Sequence, residues 1–165
     1  RAKRREAIKE ARSTVAAEAI DGFVQARIAD KVELSFVMGE RTVLDVLTAV
    51  APVSFTGERT GQHEKLQVVV LTRKATWDTL LPQVERDPKL AQRPATVARQ
   101  PARRPVSDPR VFLPHIGQRI ALQLRNGIRL ELPLLAVGPF DVLLGDEGEE
   151  LFVPLHAMLS WTPQS

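Results

Sequence analysis

NGIRLELPLLAVGPFDVLL, residues 126–144, is the stretch on which the reading of this chain turns. Asn126-Gly127 stands between two runs of alternating apolar residues: Ile120, Leu122 and Leu124 before it, and Ile128, Leu130, Leu132 and Leu134 after it. Alternation of this kind turns one face of each run toward a core. Asn-Gly between such runs is a strong hairpin signal, because both central positions of the tight turn take positive φ. Pro133 removes one ladder donor and therefore belongs at a bend or an edge. Beyond Gly138-Pro139 the segments PFDVLLG, LFVPL and HAMLSW read as three further short strands, with the acidic turn DEGEE between the first two.

The same order of parts occurs earlier. VMGERTVLDVLTAVAPVSF, residues 37–55, runs strand, Gly turn, strand, small residue and Pro, strand. Placing Gly39 on Gly127 sets Val32, Leu34 and Phe36 on Ile120, Leu122 and Leu124. Dropping one residue, as a bulge would, brings Ala51-Pro52 onto Gly138-Pro139. Past a polar loop around residues 57–65, Lys74-Ala75 then meets His156-Ala157. The chain thus reads as an internal duplication, each unit a helical turn followed by five short strands.

Around these units the sequence changes character. Residues 2–20 are rich in Ala, Glu, Arg and Lys without Gly or Pro, and favour helix. Asp21-Gly22 reads as a break, with a short helix restarting through Phe23, Val24, Ala26 and Ile28. Residues 82–114 hold seven prolines, which remove donors and restrict their neighbours. That stretch reads as an extended, mobile linker without regular elements. The resulting organisation is a basic N-terminal helix (1–20), a first unit (21–82), a Pro/Arg-rich linker (83–107) and a second unit (108–165).

The net charge of +3 conceals an uneven distribution. Arg1, Lys3, Arg4, Arg5, Lys9 and Arg12 crowd the N-terminal helix, and residues 83–114 hold seven more cations, whereas the segment from His115 onward carries three cations against six acids. Basic segments of this type bind polyanions and release counterions; they also serve simply as solvated, charged chain. The absence of Cys excludes disulfides and thiolate metal sites and fits a reducing compartment. The longest apolar run, 132–144, is interrupted and shorter than the ~20 residues of a membrane helix. The expectation is a soluble, cytoplasmic protein without cofactor or metal. Neither G-x-x-x-x-G-K-[ST] nor H-E-x-x-H occurs, and the three His (His63, His115 and His156) have no metal spacing, so a non-catalytic role is expected.

Asp108-Pro109, Asn126-Gly127-Ile128-Arg129-Leu130, Ala136-Val137-Gly138-Pro139-Phe140 and Pro154-Leu155-His156-Ala157 resemble the bacterial Sm-like (Hfq) family. Asp21-Gly22-Phe23, Met38-Gly39, Ala51-Pro52-Val53 and Thr72-Arg73-Lys74-Ala75 supply a divergent first copy. The resemblance covers residues 21–82 and 108–163. It implies a mainly β fold with an N-terminal helix and two five-stranded, strongly bent small barrels in tandem. It also implies single-stranded, uridine-rich RNA as partner, and self-association of three chains into a pseudo-hexameric ring of six units. The function implied is that of an RNA chaperone or post-transcriptional regulator.

By the same resemblance Phe140 offers a stacking platform and His156 a polar contact, with Arg73 and Lys74 in the corresponding place of the first copy. Arg27, Lys31 and Arg119 form a thin basic rim, and Asn126 and Arg129 belong to the motif turn. The sequence departs from the family pattern at Val53, where Phe is usual, at Pro139 and Leu155, where Gln and Lys are usual, and at Ser35 and Gln123, where the family has a first-strand aromatic. Those departures favour a second reading, a ring scaffold that binds protein partners; an unrelated SH3-like adaptor is a third. Each residue also has a purely structural role open to it: Phe140 in a core, His156 closing a hydrogen bond, Arg73-Lys74 on a solvated face, and Trp77 and Trp161 in packing.

Overall fold

A computed structural model describes residues 2–164, so Arg1 of the basic N-terminal segment lies outside the described residues. Helix α1 (Ala2–Thr14) ends where hydroxyls compete for its carbonyls: Ser13 Oγ donates to Glu10 O, and Thr14 Oγ1 to Ala11 O. Helix α2 (Glu18–Asp30) then runs straight through Asp21-Gly22, so the break lies at residues 15–17 and not where the sequence suggested. Burial of Ile20, Phe23 and Val24 outweighs the ~1 kcal/mol a helical Gly costs, and Glu18 and Asp21 complement the positive end of the helix.

The strands of the first half are β1 (Glu33–Met38), β2 (Thr42–Val50), β3 (Ser54–Gly57), β4 (Gly61–Glu64) and β5 (Val68–Arg73). Helix α3 (Lys74–Leu80), the short strand β6 (Glu85–Arg86) and helix α4 (Pro88–Gln92) follow. The second half supplies β7 (Arg119–Leu124), β8 (Ile128–Val137), β9 (Asp141–Leu144), β10 (Leu151–Pro154) and β11 (Met158–Pro163). The protein is mainly β with an N-terminal helix, and its strands form one antiparallel sheet in the order β11-β7-β8-β9-β10-β5-β1-β2-β3-β4, with β6 on β8. Within each half the order is the same: fifth, first, second, third, fourth. The two barrels expected from the sequence are instead one sheet that does not close, with β4 and β11 at its ends.

Strand registers fix which residues correspond. Leu34, Phe36 and Met38 pair with Arg73, Leu71 and Val68, as Ile120, Leu122 and Leu124 pair with Pro163, Trp161 and Met158, and both ladders shift register at the same place. Gly39 therefore does not stand on Gly127, and the first strands correspond two residues away from the expected alignment. Arg125-Asn126-Gly127 form a hairpin in which Gly127 N–H donates to Leu124 O at 3.0 Å. Among the described non-Gly residues only Lys31 has positive φ, and Gly127 has φ +93°. Asn126 is thus not left-handed, and the connection is the longer turn closed by a left-handed Gly.

At the second bend the expected alignment holds. Ala51 N–H donates to Ser54 O at 2.9 Å and Gly138 N–H to Asp141 O at 2.8 Å, while Lys65 and Leu155 N–H donate to Val53 and Phe140 O, both at 2.9 Å. Lys65-Leu66-Gln67 and Leu155-His156-Ala157 are equivalent 3-10 turns. Arg73-Lys74, expected opposite Leu155-His156, belongs one strand later, at the β5–α3 junction.

Two cores flank the sheet. One joins Phe23, Leu34, Phe36, Leu47 and Phe55 to Leu143 and Phe152 of the second half. The other joins Phe112, Leu124, Leu134 and Leu144 to Val37, Val69, Val70 and Trp77 of the first. Residues 83–107, expected to lack regular elements, are tied to the second half: β6 pairs with β8, Asp87 caps α4 through Lys89 and Leu90 N–H, and Val106 is buried.

Beneath the polar loop, the Asp45 carboxylate of β2 is buried and accepts from Val46 N–H at 2.7 Å, Thr60 N–H at 2.8 Å, Arg59 N–H and Thr60 Oγ1. Burial alone would raise its pKa; these donors outweigh burial and bring it down to about 2. The stability it contributes is present above the ordinary carboxyl value and is lost as pH falls through about 2.

The glycines give a stability prediction. A Cβ on Gly127 would lie 2.6 Å from Asp87 O at a positive φ, whereas one on Gly22 meets nothing within 4 Å. Gly127→Ala is expected to lower urea-unfolding stability by more than about 1 kcal/mol. Gly22→Ala in α2 should raise it by up to about 1 kcal/mol.

Candidate functional site

The Gly138-Pro139 bend turns Phe140 outward, 55% exposed, so it does not fill a core. Its counterpart Val53 is 73% exposed, which makes one aromatic and one aliphatic bend per chain. Beside Phe140 lies α1. Arg12 Cζ stands 4.8 Å from the centroid of the Phe140 ring, a cation–π contact worth about 0.5–1 kcal/mol where exposed. Arg12 Nε is buried without an acceptor, and burial lowers the Arg12 pKa against the opposing charge of Asp141. Between α1 and Phe140 runs a slot of about 500 Å³, with Ile8 and Pro101 on its apolar floor and Arg5, Lys9 and Arg12 along its rim.

His156 follows Leu155, whose N–H is bonded to Phe140 O. Both ring nitrogens of His156 are buried without a partner. Burial, then the positive charges of Arg104 and Arg125, push its pKa down to about 4. Arg104 donates to Ala98 O at 2.7 Å and Arg99 O at 2.9 Å, and burial followed by the charge of Arg12 lowers its pKa. Arg125 is buried and donates to Ala95 O at 3.2 Å, Leu66 O at 3.4 Å and Gln67 O at 3.3 Å, binding the linker and the first half to the β7–β8 turn. Burial pushes the Asp141 carboxyl up to about 7 against Lys65 and Arg12, with Asp21 adding to the rise.

The remaining sequence candidates are dispersed. Arg73 donates to Gly148 O and lies 3.9 Å from Asp30, and Lys74 is bonded to Asp78. Arg27 pairs with Asp30 at 3.0 Å beside the Phe23 ring. Arg129 donates to Gln123 Oε1 at 2.7 Å and lies near Glu85 and Asp87. Arg119 donates to Glu131 O at 2.7 Å, and Lys31 is the exposed left-handed residue that ends α2. Asn126 is buried, accepts from Ile128 N–H at 3.2 Å and donates to Met38 O at 3.4 Å. Phe140 and His156 are thus neighbours, and these other candidates do not join them.

What gathers at Phe140 instead is Arg5, Lys9 and Arg12 from α1, with Arg104 close to Arg12. The sequence carried half of that signal: a basic helix and a basic linker were visible as charge, but not that both converge on one aromatic. Lys65 also went unnoticed, because the alignment assigned its place to Arg73-Lys74. Among the described residues no group of three or more His, Asp or Glu could hold a metal ion. No helix among them is long and apolar enough to cross a membrane.

The His156 environment gives a pH prediction. Its imidazole should titrate near pH 4 in the folded protein, read from ring proton shifts by NMR. The folded state then takes up its proton later than the unfolded state, so this group favours folding above its ordinary pKa. That contribution falls as pH drops from about 6.5 toward about 4. Asp141 acts in the opposite sense, favouring folding below its raised value. Replacing His156 by Gln should therefore flatten the acid-side loss of stability; an unchanged profile would show that His156 is not held neutral. No protein-family model matches the chain, and a comparison with curated proteins finds no match.

Proposed function

We propose that the chain is a non-catalytic, single-stranded RNA-binding protein of two Sm-like units, acting as a cytoplasmic RNA chaperone, with three chains closing a ring of six units. The observation that carries this reading is the joint between the halves. There the fourth strand of one unit, β10, pairs with the fifth strand of the other, β5, at Phe152 and Leu71. Thr72 Oγ1 donating to Glu150 O at 2.9 Å and Arg73 donating to Gly148 O latch the joint. Each chain then has one free fourth strand, β4, and one free fifth strand, β11, at opposite ends of its sheet. Joining β4 of one chain to β11 of the next repeats the internal joint, satisfies both open edges and makes a head-to-tail contact able to close into a ring.

Phe140 supports RNA as the partner. An exposed ring beside Arg12 suits a base and its phosphate, and stacking on an aromatic contributes about 1–3 kcal/mol per base. The residues usual in the family resemblance are divided between the copies: the Lys position is Lys65 in the first and Leu155 in the second, and the His position is Leu66 in the first and His156 in the second. One observation favours the protein-binding scaffold: Arg27, Arg73, Lys74 and Arg129 are all engaged by acids of the chain itself.

Light scattering at micromolar concentration should give three times the chain's 18.3 kDa; a monomer would remove the ring. Titration with a uridine-rich and a random oligonucleotide at two salt concentrations should show binding that weakens with salt. Phe140→Ala should weaken uridine-rich binding by about 5- to 150-fold, the range that loss of one stacked base implies. Absence of binding at low salt leaves the scaffold reading.

A further inference from the structure

We infer that α1 is the second wall of the nucleic-acid site: the slot between α1 and Phe140 receives one nucleotide, its base on Phe140 and its flanking phosphates on Arg5 and Lys9. The inference rests on the RNA-binding reading and gives a defined role to a helix that lies outside both repeats.

Arg5, Lys9 and Arg12 are spaced four and three residues apart, which sets them one above the other on a single helical face. That face borders the slot, and no acidic side chain lines it. The floor of Ile8 and Pro101 is apolar, and the volume of about 500 Å³ falls within the range of small-ligand pockets. An apolar slot with an aromatic wall and three cations on its rim matches a flat base joined to anionic phosphates. An anion without a base would leave Phe140 and the floor unused. The helix is fixed in place, because Ile8 and Ala11 are buried, as is Val15 just beyond its end.

Arg12 now covers the ring face that the base would take. Its Nε has no acceptor, so sliding the guanidinium off the ring breaks no hydrogen bond at that atom. The displaced cation stays beside the phosphates, and an Arg that guards the empty platform becomes a ligand when the platform is filled. Because Val53 stands at the equivalent bend and α1 occurs once per chain, there is one such slot per chain.

The test is a double-mutant cycle on the full chain with oligouridylate and with an abasic strand of the same length. Phe140→Ala forms one arm and Arg5→Ala with Lys9→Ala the other; all three side chains are exposed, and thermal melts confirm that each variant remains folded. Each arm should weaken oligouridylate binding by about tenfold. The combined variant should lose clearly less than the product of the two, because a base that is no longer seated no longer positions its phosphates. The abasic strand should respond to the Arg5/Lys9 arm and not to Phe140→Ala. Multiplicative losses on oligouridylate, or equal sensitivity of the abasic strand to Phe140→Ala, overturn the clamp while leaving RNA binding intact. A parent protein that binds neither strand overturns both.

Discussion

The pairing of β5 with β10 is the constraint on which the rest of the structure depends. Both strands are buried on both faces, so neither can be withdrawn without exposing apolar side chains and unpaired backbone groups together. Alternation along them then feeds two cores at once. Phe152 points into the first core while Leu151 and Val153 point into the second; Val68 and Leu71 serve the first while Val69 and Val70 serve the second. The register shift between Val68 and Val70 makes that division possible, since it changes which face each residue meets. The halves are repeats in topology but share their packing, as Trp77 of the first half in the core of the second makes plain.

This shared packing sets the path of the segment between the halves. After α3 the chain must reach the start of β7. It does so along the edge of β8 and past the β7–β8 turn, where Asp87 N–H donates to Gly127 O at 2.8 Å and Ala95 N–H to Arg125 O at 2.9 Å. Arg125, a buried cation among carbonyl oxygens, ties the turn to the linker and to the first half. The same route brings Pro101 and Ala102 beside α1, where they line the slot at Phe140. A proline-rich sequence loses its freedom here through backbone bonds to neighbours, not through regular structure of its own.

The charge distribution follows from the same arrangement. Cations on the sheet and on α2 and α3 are engaged by nearby acids or carbonyls, whereas Arg5, Lys9 and Arg12 of α1 gather along the slot, which no acid lines. Asp141, the carboxylate near Arg12 and Lys65, has its pKa raised by desolvation. The net excess of positive charge in the whole chain is small, but its local excess beside the one aromatic bend is not.

Much of the strand pattern was legible from local chemistry. Alternation identified Ile120, Leu122, Leu124 and Ile128 as core residues, and the small-residue-Pro bend correctly matched Ala51-Pro52-Val53 to Gly138-Pro139-Phe140, because period and proline act over a few residues. Turn glycines misled the alignment, since Gly39 and Gly127 look alike in sequence but take different conformations in hairpins of different length. The sequence by itself determined a repeated set of short strands, a basic helix at one end and an aromatic residue at one bend. Tertiary structure alone decided that the repeats join through β5 and β10, that the linker is held by Arg125, and that α1 lies beside Phe140. Each of these depends on partners tens of residues apart, whose pairing is set by which buried faces and backbone groups remain to be satisfied once the local elements have formed.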